Sequence, residues 1–209
     1  MQCLYTFPPS PKTIAACISF SKRKDVGLYT SEARNPYTDA EKCRKDALCS
    51  KMSEFAAGAF LSEKMGYDRI TPDLAVYPVR ERNWDEDLSY GGTHMRDVAV
   101  KSSYVKHTSS RSGVKQYSWT FSACPFDPLL EDTSDDVAIV LTVVNYLTLQ
   151  TKVVYAGPWG IMSLQLGGLL LRPQNPNITT KLVMYEDDIE AIGFSDAWKL
   201  LRVPGKYTM

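Results

Sequence analysis

The chain lacks any hydrophobic segment long enough to cross a membrane. No apolar run in it approaches the roughly 18 to 20 residues that a transmembrane helix needs. The first residues, Met1 to Pro9, also lack the basic start and apolar core of a secretory signal peptide. These absences predict a cytoplasmic protein with no membrane partner, whose thiols are reduced.

Cysteine and histidine are scarce, and their spacing excludes several classes of metal site. None of the five cysteines forms a CxxC pair, which argues against zinc. No cysteine follows Cys124, which argues against an iron–sulfur cluster. The two histidines, His94 and His107, stand apart from each other and from any triad partner. We therefore interpret the cysteines as small buried apolar residues.

The chain has no excess of charge of either sign. Its 24 basic and 24 acidic residues give a formal net charge of zero, so any binding of nucleic acid requires a local basic patch. One candidate patch is the Ser-rich segment that contains Lys106, Arg111 and Lys115, whose side chains suit phosphate contacts. A solvated loop without a binding function is the alternative.

One long helix is predicted by its capping signals. Thr38 and Glu41 form a capping box, and Gly66 provides a stop after Met65. The second half of this helix is apolar on every side, which predicts a buried helix. A strand is expected upstream, around residues 14–20.

The segments that follow favour strands. Residues 70–77 and 95–104 are expected to pair antiparallel, and residues 136–147 form an apolar run typical of a central strand buried on both faces. Further strands are expected at 117–123 and 152–156, and a closing helix at 187–201. This order predicts an α/β fold, a sandwich whose central mixed sheet is flanked by helices. We expect one domain over 1–209, with a core of about 38–156 elaborated by 1–37 and 157–209.

Polar residues collect on one face of the two predicted strands. Because side chains alternate along a strand, Asp97, Ala99 and Lys101 share a face, and Asp73 lies beside the small Ala75. Carboxylates that hold Mg²⁺, a cation near the attacking water and space for a phosphate are what hydrolysis of a phosphodiester needs. We expect Asp73 and Lys101 to converge on one cleft within about 8 Å, and a structure that places them on opposite faces of the sheet or on unpaired strands would rule out the nuclease built on this pair.

Glu54 is a third candidate because it lies in the apolar half of the predicted helix. A buried carboxylate needs a partner, either a metal ion or the ammonium group of Lys101. A surface position or a structural ion pair is the alternative. The acidic run Asp85-Glu86-Asp87 is interpreted as a solvated connection.

In this order, Glu54 in a helix, Gly66-Tyr67, Pro72-Asp73 and the segment 98–103 resemble the PD-(D/E)xK nuclease superfamily, over roughly residues 50–145. The resemblance implies a restriction-endonuclease-like αβ sandwich and a Mg²⁺-dependent DNA endonuclease of restriction or phage type. It implies Mn²⁺ as an alternative ion, double-stranded DNA as substrate, a homodimer and no organic cofactor. Asp73 would be the metal ligand, Lys101 the catalytic lysine and Glu54 the helix carboxylate.

Ala99 departs from the family pattern, which places an acid two residues before the lysine. Asp97 is the nearest substitute and would be the second metal ligand, although its Cα lies about 6 to 7 Å from that of Ala99. The alternative is a nuclease fold without catalysis that binds nucleic acid, serves a structural role or binds a host protein.

Overall fold

The computed structural model describes residues 3–23, 40–66, 70–75, 87–90, 93–95, 98–109, 112–122, 129, 137–163, 181–192 and 197–201. Its helices are α1 (Pro11–Arg23), α2 (Ala40–Met65), α3 (Trp159–Ser163) and α4 (Glu186–Ile192), with a 3₁₀ turn at Ala197–Leu200. Its strands are β1 (Tyr5–Phe7), β2 (Ile70–Pro72), β3 (Leu88–Tyr90), β4 (Thr93–His94), β5 (Val98–Ser103), β6 (Lys106–Thr108), β7 (Lys115–Ser122), β8 (Ala138–Val144), β9 (Thr151–Pro158) and β10 (Lys181–Tyr185).

The long helix predicted from the capping signals is present as α2. Gly66 follows its last residue at a φ of 71°, and the Gly66 N–H donates to the carbonyl of Ser62 over 3.0 Å. A positive φ after the last turn is the usual helix stop that glycine provides. Thr38 lies outside the described residues.

The strand expected around residues 14–20 is wrong, because this segment belongs to helix α1. The Ser10 hydroxyl accepts the Thr13 N–H over 3.1 Å and so caps the helix, and Pro11 occupies its first position. Proline is well tolerated there, since that N–H has no helical partner. These two local signals outweigh the β-branched residues that follow.

The main sheet has the order β1-β9-β8-β5. It is mixed, because β5 and β8 run parallel while β8–β9 and β9–β1 run antiparallel. All seven residues of β8 are buried, as predicted for a central strand. The mixed α/β class is therefore confirmed.

The predicted antiparallel pairing of residues 70–77 with 95–104 is wrong. β2 instead pairs with β3, in a small sheet of order β2-β3-β4, and β5 pairs with β8. β2 ends at Pro72, which has no N–H to donate to a ladder. The nearer segment β3 supplies the antiparallel partner that β5 was expected to provide.

Different layers cover the two faces of the main sheet. Helix α2 packs on one face, where Ala57 and Phe60 contact Val98 and Val140 in one apolar cluster. On the other face lies a second sheet, of order β10-β7-β6, with the short helices α3 and α4. The predicted closing helix is divided into α4 and the 3₁₀ turn, with residues 193–196 outside the described part. No helix in the described part is long and apolar enough to span a bilayer.

Candidate functional site

A buried carboxylate lies at the middle of helix α2. Glu54 is 2% exposed, and its Oε2 accepts a hydrogen bond from the Lys51 ammonium at 2.6 Å. The Ser50 hydroxyl donates to the other oxygen over 3.3 Å. Residues three or four apart lie on the same side of a helix, which is why Ser50, Lys51 and Glu54 meet. Lys51 is therefore a charged partner of Glu54, which matches the structural ion pair that the sequence left as an alternative to Lys101 or a metal ion.

The surroundings of Glu54 favour its protonated form. Burial raises the pKa of Glu54 to about 8, the Lys51 ammonium opposes this shift, and the charge of Asp87 adds to it. A carboxyl group that is expensive to ionise and that faces a second carboxylate would gain from a nearby cation.

This shift predicts how the stability of the metal-free protein depends on pH. The unfolded chain releases the Glu54 proton near the ordinary pKa of 4.5, whereas the folded protein keeps it up to about pH 8. The folded state therefore binds more protons, so this group should lower the free energy of unfolding as pH rises through that window. Urea unfolding in EDTA should give a flatter pH dependence for Glu54→Gln, whose amide oxygen still accepts from Lys51. Identical pH profiles for the two proteins would contradict the shift.

Asp87 lies at the start of β3, where its carboxylate contacts the edge of the main sheet. Its Oδ2 accepts the backbone N–H of Val100 over 2.8 Å. β5 is the last strand of the described sheet, so the outward N–H of Val100 has no strand partner there. Asp87 thus contacts the residue of β5 that directly precedes Lys101.

Lys101 is half-buried and points away from helix α2. Its Nζ lies 5.4 Å from the ring centroid of Phe121 on β7, and Ala99 packs against the same apolar cluster. On the helix side, the Thr142 hydroxyl contacts both the Lys101 carbonyl, at 3.3 Å, and the Ser53 hydroxyl, at 2.6 Å. These contacts join α2, β8 and β5 immediately beside Glu54.

Three candidate groups lie around the described edge of β5, on different sides of the sheet. Glu54 lies on the helix side of the sheet, Lys101 lies on the other side, and Asp87 lies at the edge between them. We call Glu54, Asp87 and Lys101 the edge site. It offers two carboxylates and one ammonium group at a strand edge.

Asp73 does not occupy the predicted position. It follows the end of β2, and its Oδ1 accepts the Ala75 N–H over 2.8 Å, which is the pattern of an Asx turn. Its backbone N–H donates to the Asp87 carbonyl at 3.3 Å. The expected cleft between paired strands that carry Asp73 and Lys101 is therefore wrong. Asp97, the predicted second ligand, lies outside the described residues.

Two of the three predicted phosphate-binding residues lie on one exposed ribbon. Lys106 on β6 pairs with Tyr117, and Thr108 pairs with Lys115 on β7, so both lysines share a strand face with Tyr117. The Lys106 Nζ lies 5.0 Å from the centroid of the Tyr117 ring. Arg111 lies outside the described residues.

In the part of the chain that the structure describes, no three His, Cys, Asp or Glu side chains group together as metal ligands. Glu54 and Asp87 interact through their charges, and the Lys51 ammonium is the cation in contact with Glu54.

Asp87 and Lys51 were missed by the sequence analysis, and each has a local signal. Leu88-Ser89-Tyr90, followed by two glycines and Thr93-His94, is a hairpin pattern that makes Asp87 a strand-start residue. Lys51 precedes Glu54 by three positions, the spacing of a helical ion pair.

Comparison of the chain with protein-family models, curated proteins and solved structures finds no match. The functional interpretation therefore depends on the geometry of this chain.

Proposed function

We propose that the chain is a Mg²⁺-dependent DNA endonuclease of restriction-endonuclease-like fold, a divergent relative of the PD-(D/E)xK nucleases. One observation carries the proposal. The Asp87 carboxylate is held on the edge of β5 by the N–H of Val100, the residue before Lys101, and its charge raises the pKa of Glu54. The pair Asp73 and Lys101, on which the sequence-based nuclease depended, fails its test because their strands do not pair, so the proposal depends on Asp87 in place of Asp73.

Each residue of the edge site has a role in this proposal. Glu54 and Asp87 would hold the ion, with Mn²⁺ as an alternative, and Asp97 stays a predicted further ligand. A bound Mg²⁺ supplies stabilisation of phosphate charge and a more acidic water. Lys101 orients the attacking water and neutralises charge on the phosphate. Lys51 keeps the Glu54 carboxylate in place through its hydrogen bond.

The proposed substrate is double-stranded DNA, bound by a homodimer in the cytoplasm. Cleavage of both strands needs two active sites, and one chain of this size carries one edge site. Lys106 and Lys115, on one face of the exposed ribbon, would contact phosphates.

A supercoiled plasmid incubated with the protein tests the proposal directly. We expect nicked and linear products with Mg²⁺ or Mn²⁺ and none with EDTA. A plasmid that stays intact under all conditions would refute the proposed nuclease activity. Cleavage in EDTA as fast as in Mg²⁺ or Mn²⁺ would refute its dependence on a metal ion.

One observation favours the alternative, a nuclease fold without catalysis that binds nucleic acid, serves a structural role or binds a host protein. Ala99 packs against the apolar cluster that contains Trp119 and Phe121, where the family usually has an acid. The edge site would then hold its ion through fewer carboxylates than an active relative does, and a poorly held ion contributes little to the transition state.

The variant Ala99→Glu separates the two possibilities. We expect it to lower the free energy of unfolding by roughly 1 to 3 kcal/mol, because the new carboxylate enters an apolar contact. It should not increase cleavage. Thermal unfolding and plasmid cleavage measure both effects, with Ala99→Gln as the uncharged control of similar size. A stable Ala99→Glu protein that cleaves faster than the wild type would show that the acid has been lost from position 99.

A further inference from the structure

A second pocket lies away from the edge site, between the main sheet and the β6–β7 ribbon. It has a volume of about 280 Å³. Its lining combines the buried Val143 and Val154 with Tyr117 and with polar or charged residues, namely Cys3, Asn145, Gln150, Lys152 and Glu186. A pocket at the small end of the ligand-binding range suits a single flat ring rather than a large ligand.

The chemistry of the pocket matches a nucleotide. The aliphatic and aromatic side chains of the lining accept a planar ring, and aromatic side chains are the usual stacking partners of unpaired bases. Lys152 is exposed and pairs with Val143 in the sheet, so its ammonium group lies at the rim, where a phosphate would stay in solvent. The amide of Gln150 can both donate and accept hydrogen bonds to the edge of a base.

Neighbouring charges favour a nucleotide within a strand over a free nucleotide. Lys106 lies over the Tyr117 ring, and Lys115 shares its strand face, so two further ammonium groups continue from the pocket along the ribbon. A row of cations beside an aromatic ring follows a nucleic-acid backbone and stacks its bases.

The distance between the pocket and Lys101 is one that a few nucleotides of a DNA strand can span. Lys101 pairs with Leu141, and Val143 is two residues further along β8 and pairs with Lys152. With about 3.3 Å per residue and about 4.8 Å between strands, Val143 and Lys152 lie roughly 8 to 12 Å from the Lys101 backbone. At about 3.4 Å per nucleotide, this separation corresponds to roughly three nucleotides.

We propose that this pocket binds an unpaired base of the DNA substrate, a few nucleotides from the phosphate at the edge site. The inference rests on the proposed function for its substrate. It adds that the enzyme recognises a strand with a base out of the duplex, at a frayed end, in a single-stranded segment or flipped from the helix.

Fluorescence anisotropy in EDTA tests the pocket without cleavage. The probes are a short labelled single-stranded DNA and the same backbone without bases. The wild type should bind the intact strand about fivefold to a hundredfold more tightly than the abasic strand. Tyr117→Ala should remove this difference and Tyr117→Phe should keep it. Tyr146→Ala is the matched control, because Tyr146 also has a lysine, Lys45, over its ring at 4.4 Å but does not line the pocket.

Two results would contradict the proposed base-binding role of the pocket. One is equal affinity of the wild type for the intact and the abasic strand, and the other is a Tyr117→Ala protein that still prefers the intact strand. Displacement of the DNA by equimolar deoxynucleoside monophosphates would assign the site to free nucleotides instead. If Tyr117→Ala does not fold, the exposed residue Lys152 provides a second test. Lys152→Met should weaken binding of the intact strand by about threefold or more, and unchanged binding would refute the base-binding role of the pocket. If binding depends on the bases but the plasmid is not cleaved in Mg²⁺, the proposed nuclease activity is refuted while the proposed base-binding role of the pocket stands.

Discussion

The variant Asp87→Asn should lose more than about a hundredfold of the Mg²⁺-dependent cleavage rate while keeping its fold. Loss of groups that only support a metal ligand typically costs about 10- to 100-fold, so loss of a ligand should cost more. The asparagine carbonyl can still accept the Val100 N–H, which keeps β3 on the edge of β5. Plasmid cleavage measures the rate, and calorimetric titration with Mn²⁺ should show weaker metal binding.

Asp73→Asn is the matched control for this experiment. Its side-chain oxygen can still accept the Ala75 N–H, so the turn after β2 should persist. We expect a cleavage rate within about threefold of the wild-type rate, because the Asp73 carboxylate is engaged in the hydrogen bond of the turn after β2. The sequence pattern alone predicts the reverse, with Asp73→Asn losing metal affinity and activity. If Asp73→Asn loses activity while Asp87→Asn keeps it, Asp73 of the Pro72-Asp73 motif would be the metal ligand, and the proposed role of the edge site would be wrong.

The elements that the sequence predicted well are those with strong local signals. Helix α2 ends at Met65, directly before Gly66, as expected, and β8 is buried along its whole length because every residue in it is apolar or Thr. Helix α1 was missed because Ile and Phe favour strands, while its start depends on one cap at Ser10.

Strand pairing was not predictable from these signals. A parallel pair such as β5–β8 joins residues forty positions apart, and neither strand carries a signal that identifies its partner. The antiparallel hairpin expected from proximity in the chain was therefore the natural but incorrect choice. Placing Asp73 opposite Lys101 followed from that choice.

The candidate site was predicted in part for the same reason. Glu54 is a candidate from the sequence because an acid in an apolar helix is costly, and Lys101 is one because its strand resembles a nuclease motif. Asp87 has no such signal, because an acidic run usually lies in solvent. Only the tertiary contact with Val100 distinguishes Asp87 from its neighbours in that run.

Removal of the Lys101 ammonium should separate catalysis from metal binding. In Lys101→Met the apolar stem beside Phe121 is retained, so the contact between β5 and β7 should persist. We expect kcat to fall by about a hundredfold to a thousandfold, as for loss of one group that stabilises transition-state charge. Affinity for Mn²⁺ should stay within about twofold, because the carboxylates of the edge site are unchanged.

Two other lysines that lie over aromatic rings serve as controls for the Lys101→Met variant. Lys199, with its Nζ 5.7 Å from the Trp198 ring, lies away from the edge site, and Lys199→Met should cleave like the wild type. Lys106→Met should raise KM and leave kcat nearly unchanged, because a phosphate contact on the ribbon contributes to binding alone. A Lys101→Met protein that changes only KM would make Lys101 another phosphate contact, and the attacking water at the edge site would then need a different group to orient it.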